Sequence, residues 1–269
     1  MKKVSIHLFC LILALFCTAF MSYAKPKVIR VVVALCDNQY QNIAPVPTAL
    51  GNGQDPKHNL YWGAAYGFKT FFAKQKEWQV VQTHSSPNPY ILDEIIYKHR
   101  TQDVYIIAQA YNGKYIDDTI RDFMAYSACQ QPLTFEVNHT TINAGGRADL
   151  VVYIGHDALM EWAWQNDLPD DWRFQTLAKV QQQQQQSRYA AVFACQSRQY
   201  FSPALSGTGI SPLILTTQNM APEAYSVHAM IDGWVNGLSK SQIRYNVAAS
   251  YSQYQKLAKP ALSLFATEY

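Results

Sequence analysis

The sequence predicts a single α/β domain: a mostly parallel sheet in a three-layer arrangement, with helices on both faces. Three observations carry that expectation. Short, near-continuous apolar runs rich in β-branched residues recur along the chain, the first being Val28 to Leu35, and such runs suit strands buried on both faces. Segments with apolar residues at helical spacing lie between them, as the crossovers of a parallel sheet require. No internal repeat and no linker-like stretch divides residues 25–269, so one domain is the economical reading.

Taken in order, the first strand ends at Cys36-Asp37-Asn38, and a long loop follows in which Pro45, Pro47, Gly51, Gly53 and Pro56 set turns. Asn59 to Ala73 reads as a helix dense in aromatic residues, whose plainest role is core packing. Trp78–Gln82 is a short strand. Pro89 opens a helix with Leu92, Ile95, Ile96 and His99 on one face. Val104–Ala108 is the next strand. A helix after Asn112-Gly113 carries Ile116, Ile120, Phe123 and Met124, with Asp117 and Asp118 placed where the helix dipole favours them. Leu133–Val137 and Thr140–Asn143 form an extra hairpin.

Leu150–Ile154 is a further buried strand, followed by helices over Leu159–Asn166 and Phe174–Arg188, the second containing the run Gln181–Gln186 as a solvated face. Strands at Tyr189–Phe193 and Leu213–Thr217 complete the sheet. From Pro222 a helix aligns Val227, Met230, Ile231, Trp234, Val235 and Leu238, the clearest amphipathic pattern in the chain. Ser239 with Gln242 three residues on is a capping box that opens a last helix through about Leu257.

Apolar residues make up 49% of the chain and charged residues 15%, a globular composition and not a disordered one. Residues 1–24 read as a secretory signal peptide: Lys2-Lys3, an apolar run from Val4 to Phe20, then Ser22-Tyr23-Ala24. An uncleaved anchor is the competing reading, and the polar Lys25-Pro26-Lys27 directly after Ala24 favours cleavage. Removing Lys2 and Lys3 from the 22 basic residues leaves 20 against 19 acidic ones, too even a balance to recruit nucleic acid or anionic lipid. The expected product is exported, periplasmic or extracellular, with no stable membrane insertion once the leader is gone. Cleavage also leaves three cysteines, Cys36, Cys129 and Cys195, so at least one thiol is free or paired outside the chain.

Function is expected where strands end. In an open parallel sheet the functional groups gather beyond the carboxyl ends of strands, and His156 and Cys195 both occupy that place. The 39 residues separating them leave room for one crossover, so their strands can be neighbours. A thiol is a poor nucleophile until an imidazole or a helix N-terminus favours its anion, and an imidazole can also protonate a leaving amine. The backbone amides of Asp157 and Cys195 are placed to hold an oxyanion if the turns expose them. Singly, a histidine after a strand is a satisfied surface or core residue, and a cysteine in an apolar run is a small buried hydrophobe. The pairing makes them candidates. His58, His84, His99, His139 and His228 show no metal-ligand spacing, and Gly51-Asn52-Gly53 lacks the features of a phosphate loop, so no metal and no cofactor is expected.

Gly146 to His156 resembles the histidine motif of the caspase-like cysteine peptidases, a group that includes caspases, legumains, gingipains and separases. Ala191 to Ser197 resembles their cysteine motif, in the strand-Ala-Cys-x-Ser style of legumains and gingipains. The resemblance runs from Gly145 to Phe201 and on to the Leu213–Thr217 strand. It implies a caspase-like fold, a catalytic dyad of His156 and Cys195, and a peptide or protein as substrate, without metal or cofactor. In two places the chain departs from the family: Asp157 stands where Gly usually follows the histidine, and Arg198 where Gly often follows the cysteine. Asp157 keeps the amide but is expected to bring a side chain and a negative charge into the site. By position, the resemblance makes Asp37 and Asn38 candidates for binding the side chain before the scissile bond, Asp37 favouring a basic one. Met220 and Tyr225 lie on another rim position. The rival expectation is an envelope binding or scaffold protein that keeps this fold without turnover.

Overall fold

The computed structural model describes residues 25–164 and 188–269. The proposed leader and, but for Arg188, the helix proposed over Phe174–Arg188 with its glutamine run lie outside the described residues. Eight strands form one mixed sheet in the order β10-β9-β8-β7-β1-β4-β3-β2. Its parallel centre consists of β1 (Lys27–Ala34), β4 (Val104–Tyr111), β7 (Leu150–Ile154), β8 (Tyr189–Phe193) and β9 (Ser211–Thr216). β2 (Trp78–His84) and β3 (Ile91–His99) add antiparallel strands at one edge, and the two-residue β10 (Phe265–Ala266), which the sequence pattern does not signal, adds another at the far edge.

The three layers follow from the pleat. Ile29, Val31 and Val33 of β1 face one core, shared with α1 (Phe68–Phe72), α6 (Ala224–Val235) and α7 (Lys240–Tyr254). Val28, Val32 and Ala34 face the other, shared with α2 (Ile116–Ser127), α5 (Ser202–Ser206) and the hairpin of β5 (Pro132–Val137) and β6 (Thr140–Gly145). The expected hairpin is therefore present, and so is the capping box, Ser239 and Gln242 each satisfying the other's backbone at the start of α7. Arg30, on the second face of β1, is fully buried. Its guanidinium donates to Gln109, whose amide donates to Glu94, and it lies over the ring of Tyr126.

Two expected helices take other forms. Ile91–His99 is a strand, because the connection from β3 to β4 is only Arg100–Asp103, a hairpin too short for a parallel crossover. The residues that lie on one helix face at helical spacing divide between the two faces of the sheet, Ile95 entering one core and Ile96 the other. Of Asn59–Ala73, only Phe68–Phe72 is helical. The Asn59 side chain donates to the Cys36 carbonyl at 2.8 Å and accepts from the Cys36 amide at 3.1 Å, tying this segment to the end of β1. At Gly63 the chain folds back so closely that an added Cβ would lie 2.0 Å from the Lys57 carbonyl oxygen. A continuous helix has no room for either contact.

After β1 the chain fills one side of the sheet through β2, β3 and β4, whereas β7, the neighbour of β1 on the other side, connects onward to β8. The strand order therefore reverses between β1 and β7, and a crevice opens at their carboxyl ends.

Candidate active site

His156 and Cys195 both stand at that crevice. Ile154 pairs with Phe193 in the β7–β8 ladder, so His156 and Cys195 stand two residues beyond the same rung and share its strand parity. Both line a cleft of ≈ 340 Å³. Tyr61, Gly155, Met220 and Pro222 also line it, as does the loop bearing Asn42, Ile43 and Val46.

Local packing holds each partner. Gly155 passes so close to β1 that a Cβ there would lie 2.9 Å from both the Ala34 Cβ and the Tyr153 hydroxyl. That hydroxyl donates to the His156 carbonyl at 2.8 Å. The His156 Nε2 meets the Glu161 carboxylate at 2.7 Å, with the imidazole side chain only 12% exposed. Glu161 sits in the first turn of α3 (Leu159–Trp164), five residues after the histidine. A carboxylate at Nε2 places the ring proton there and leaves Nδ1 as the basic nitrogen, and among the described residues nothing occupies Nδ1. The sequence reading missed Glu161. Its signal was an acid one helical turn into the element after the histidine.

Cys195 sits at the tip of a tight turn between β8 and α4 (Ser197–Tyr200). Gln196 adopts the left-handed conformation, φ 48° and ψ 32°, which a non-glycine residue keeps only when its surroundings enforce it. Ser197 enforces it: its hydroxyl donates to the Val192 carbonyl at 3.0 Å and accepts from the Thr216 amide at 2.9 Å. The cysteine sulfur faces Met220, whose amide lies 3.4 Å away and whose carbonyl lies 3.6 Å away. Burial pushes the thiol up, the Met220 amide pulls it down, and the nearby Asp157 charge pushes it up again. The net direction is upward, so the resting sulfur is a thiol. Among the described residues, the amides of Asp157 and Cys195 donate to no protein acceptor, but only Cys195 lines the cleft, and Asp157 is fully buried, so the expected oxyanion role of its amide is not open to a ligand here.

The Asp157 side chain does not enter the cleft. It turns inward and is 0% exposed, and among the described residues neither carboxylate oxygen finds a hydrogen-bond partner. Burial raises its pKa well above the usual carboxylate range. The amides of Met160 and Leu159 at the start of α3 oppose that rise electrostatically, but neither reaches hydrogen-bonding geometry. The expected crowding of the site is thus absent. Arg198 also points elsewhere, pairing with Glu268 at 3.6 Å and with the Tyr269 carbonyl at 3.2 Å.

The remaining candidates divide. Met220 lines the cleft. Tyr225 does not: it is buried, its ring stacks on Tyr254, and its hydroxyl donates to Glu223 at 2.9 Å. Asp37 is buried and holds a turn, its Oδ1 accepting from the amides of Gln39 and Tyr40 and its Oδ2 from Gln54 at 2.6 Å. No lone carboxylate remains there for a basic ligand. Asn38 acts at one remove, bonding both backbone groups of Val46 and so pinning a loop that lines the cleft. Cys36 is fully buried, and burial pushes its thiol up to about 11. It makes no disulfide with Cys195.

No protein-family model, curated protein or solved structure matches the chain. The geometry alone therefore says what the cleft can do. It brings the Cys195 thiol and amide and the His156 imidazole, with the Glu161 carboxylate on its Nε2, to the switch point of an open sheet. No helix of the described residues is long and apolar enough to cross a membrane.

Proposed function

We propose that this chain is an exported cysteine peptidase of caspase-like fold that cleaves peptides or proteins by acyl transfer. The observation that carries the reading is the placement of His156 and Cys195 beyond one rung of adjacent strands, lining one cleft. Cys195 is the nucleophile. As its sulfur attacks the scissile carbonyl, forming the S–C bond, the thiol proton passes to Nδ1 of His156. The amide of Cys195 stabilises the oxyanion, and Glu161 stabilises the imidazolium. The imidazolium then protonates the leaving amine as the C–N bond breaks. Water, activated by the same ring, hydrolyses the thioester.

A second reading has its own observation. The upward shift of the Cys195 thiol suits a non-catalytic binding or scaffold protein that uses the cleft without turnover. A peptide probe bearing a thiol-directed acylating group separates the two. Under the peptidase reading, labelling concentrates on Cys195, disappears in Cys195→Ala, and slows roughly 100-fold or more in His156→Ala. Labelling spread equally over Cys36 and Cys129, with nothing selective at Cys195, refutes it.

A further inference from the structure

We propose that the cleft beside Cys195 selects an uncharged, apolar side chain, so that the residue whose carbonyl is attacked belongs to the leucine, methionine or phenylalanine class. The inference rests on the peptidase reading and specifies its substrate. Met220, whose amide lies 3.4 Å from the sulfur, lines the cleft together with Pro222, Ile43 and Val46. Beside His156 and the Tyr61 hydroxyl, the polar side chains of the lining are the amides of Asn42 and Asn219, which can hold a peptide backbone but carry no charge.

Among the described residues, the acids nearest the cleft are engaged elsewhere. Asp37 is closed by Gln39, Tyr40 and Gln54. Asp157 is buried beneath the turn. Glu161 is held at the His156 ring, and Glu223 accepts from Tyr225 at 2.9 Å and Gln255 at 3.4 Å. A lysine or arginine entering the cleft would lose hydration without meeting a carboxylate. An aspartate or glutamate would meet no lysine or arginine among the lining residues. An apolar side chain loses nothing and gains the walls.

The test uses three blocked peptides that differ only at the residue before the scissile bond, which is Leu, Lys or Asp. Their binding to the Cys195→Ala protein is read by fluorescence anisotropy, and their hydrolysis by the natural chain is read as kcat/KM. The Leu peptide is expected to bind at least ~10-fold tighter than either charged one, with the same ranking in kcat/KM. Asn42→Asp and Asn219→Asp, isosteric changes at exposed positions, should each move the Lys:Leu affinity ratio about 10-fold toward Lys. Equal binding, a charged preference, or no binding by any peptide overturns the selectivity. A Leu preference with no hydrolysis overturns the peptidase reading while the selectivity stands.

Discussion

Replacing Asp157 by asparagine should change how the stability of the folded chain depends on pH, and burial sets the sign. In the native state the carboxyl is fully enclosed and unpartnered, and it keeps its proton well above the usual carboxylate range. In the unfolded chain the same group ionises near ~3.9. Between those two points the native state binds one more proton than the unfolded state. Stability is therefore fully present below the unfolded value and falls as pH rises, by about 1.4 kcal/mol for each pH unit, until the native carboxyl ionises. Asparagine has no proton to hold, so the variant lacks this slope. The amide's own missing hydrogen bonds shift its stability by a constant and drop out of the comparison. From about pH 5 to about pH 6 the variant should gain about 1.4 kcal/mol on the natural chain, or roughly 3–5 °C in the difference between their Tm values. Thermal denaturation of the two proteins side by side at those pH values measures this. Two stability curves that run parallel across the interval would refute a buried, protonated carboxyl.

Two further outcomes follow from the same geometry. Glu161→Gln keeps the size of the side chain but removes the charge behind His156, so acylation of Cys195 by the peptide probe should slow roughly 10- to 100-fold while the half-saturating probe concentration holds. An equal loss in both would make Glu161 a packing residue only. Ser197→Ala leaves the Val192 carbonyl and the Thr216 amide without their partner, and the domain should lose about 1–3 kcal/mol in urea denaturation. A loss below ~0.5 kcal/mol would mean that the left-handed turn at Gln196 is held by something else.

The parallel centre of the sheet was legible because its strands are buried on both faces and therefore read as unbroken apolar runs. β3 was not, because a strand covered on both sides can carry apolar residues at helical spacing by coincidence. Leu92, Ile95, Ile96 and His99 did so, and only the short Arg100–Asp103 connection decides the matter. The same limit applied to Asn59–Ala73, where a single long-range contact from Asn59 to Cys36 outweighs local helix preference. His156 and Cys195 were legible as strand tips, but Glu161 acts through a side-chain contact that a linear pattern does not show. Asp37 misled because its charge was visible in the sequence and its three internal partners were not.

Asp157 carries this furthest, since any side chain after His156 must go somewhere. The tight approach of Gly155 to β1 and the Tyr153 bond to the His156 carbonyl fix the backbone there, so the choice lies between the cleft and the interior. Inward burial keeps the carboxyl out of the cleft, at the expense of leaving it without a hydrogen-bond partner among the described residues. It also places that carboxyl where its charge would oppose ionisation of Cys195. A protonated Asp157 removes the opposition, and an ionised one restores it. The group that makes the chain depart from the caspase-like pattern thus bears on the nucleophile through its protonation state, while the geometry of the cleft stays the same.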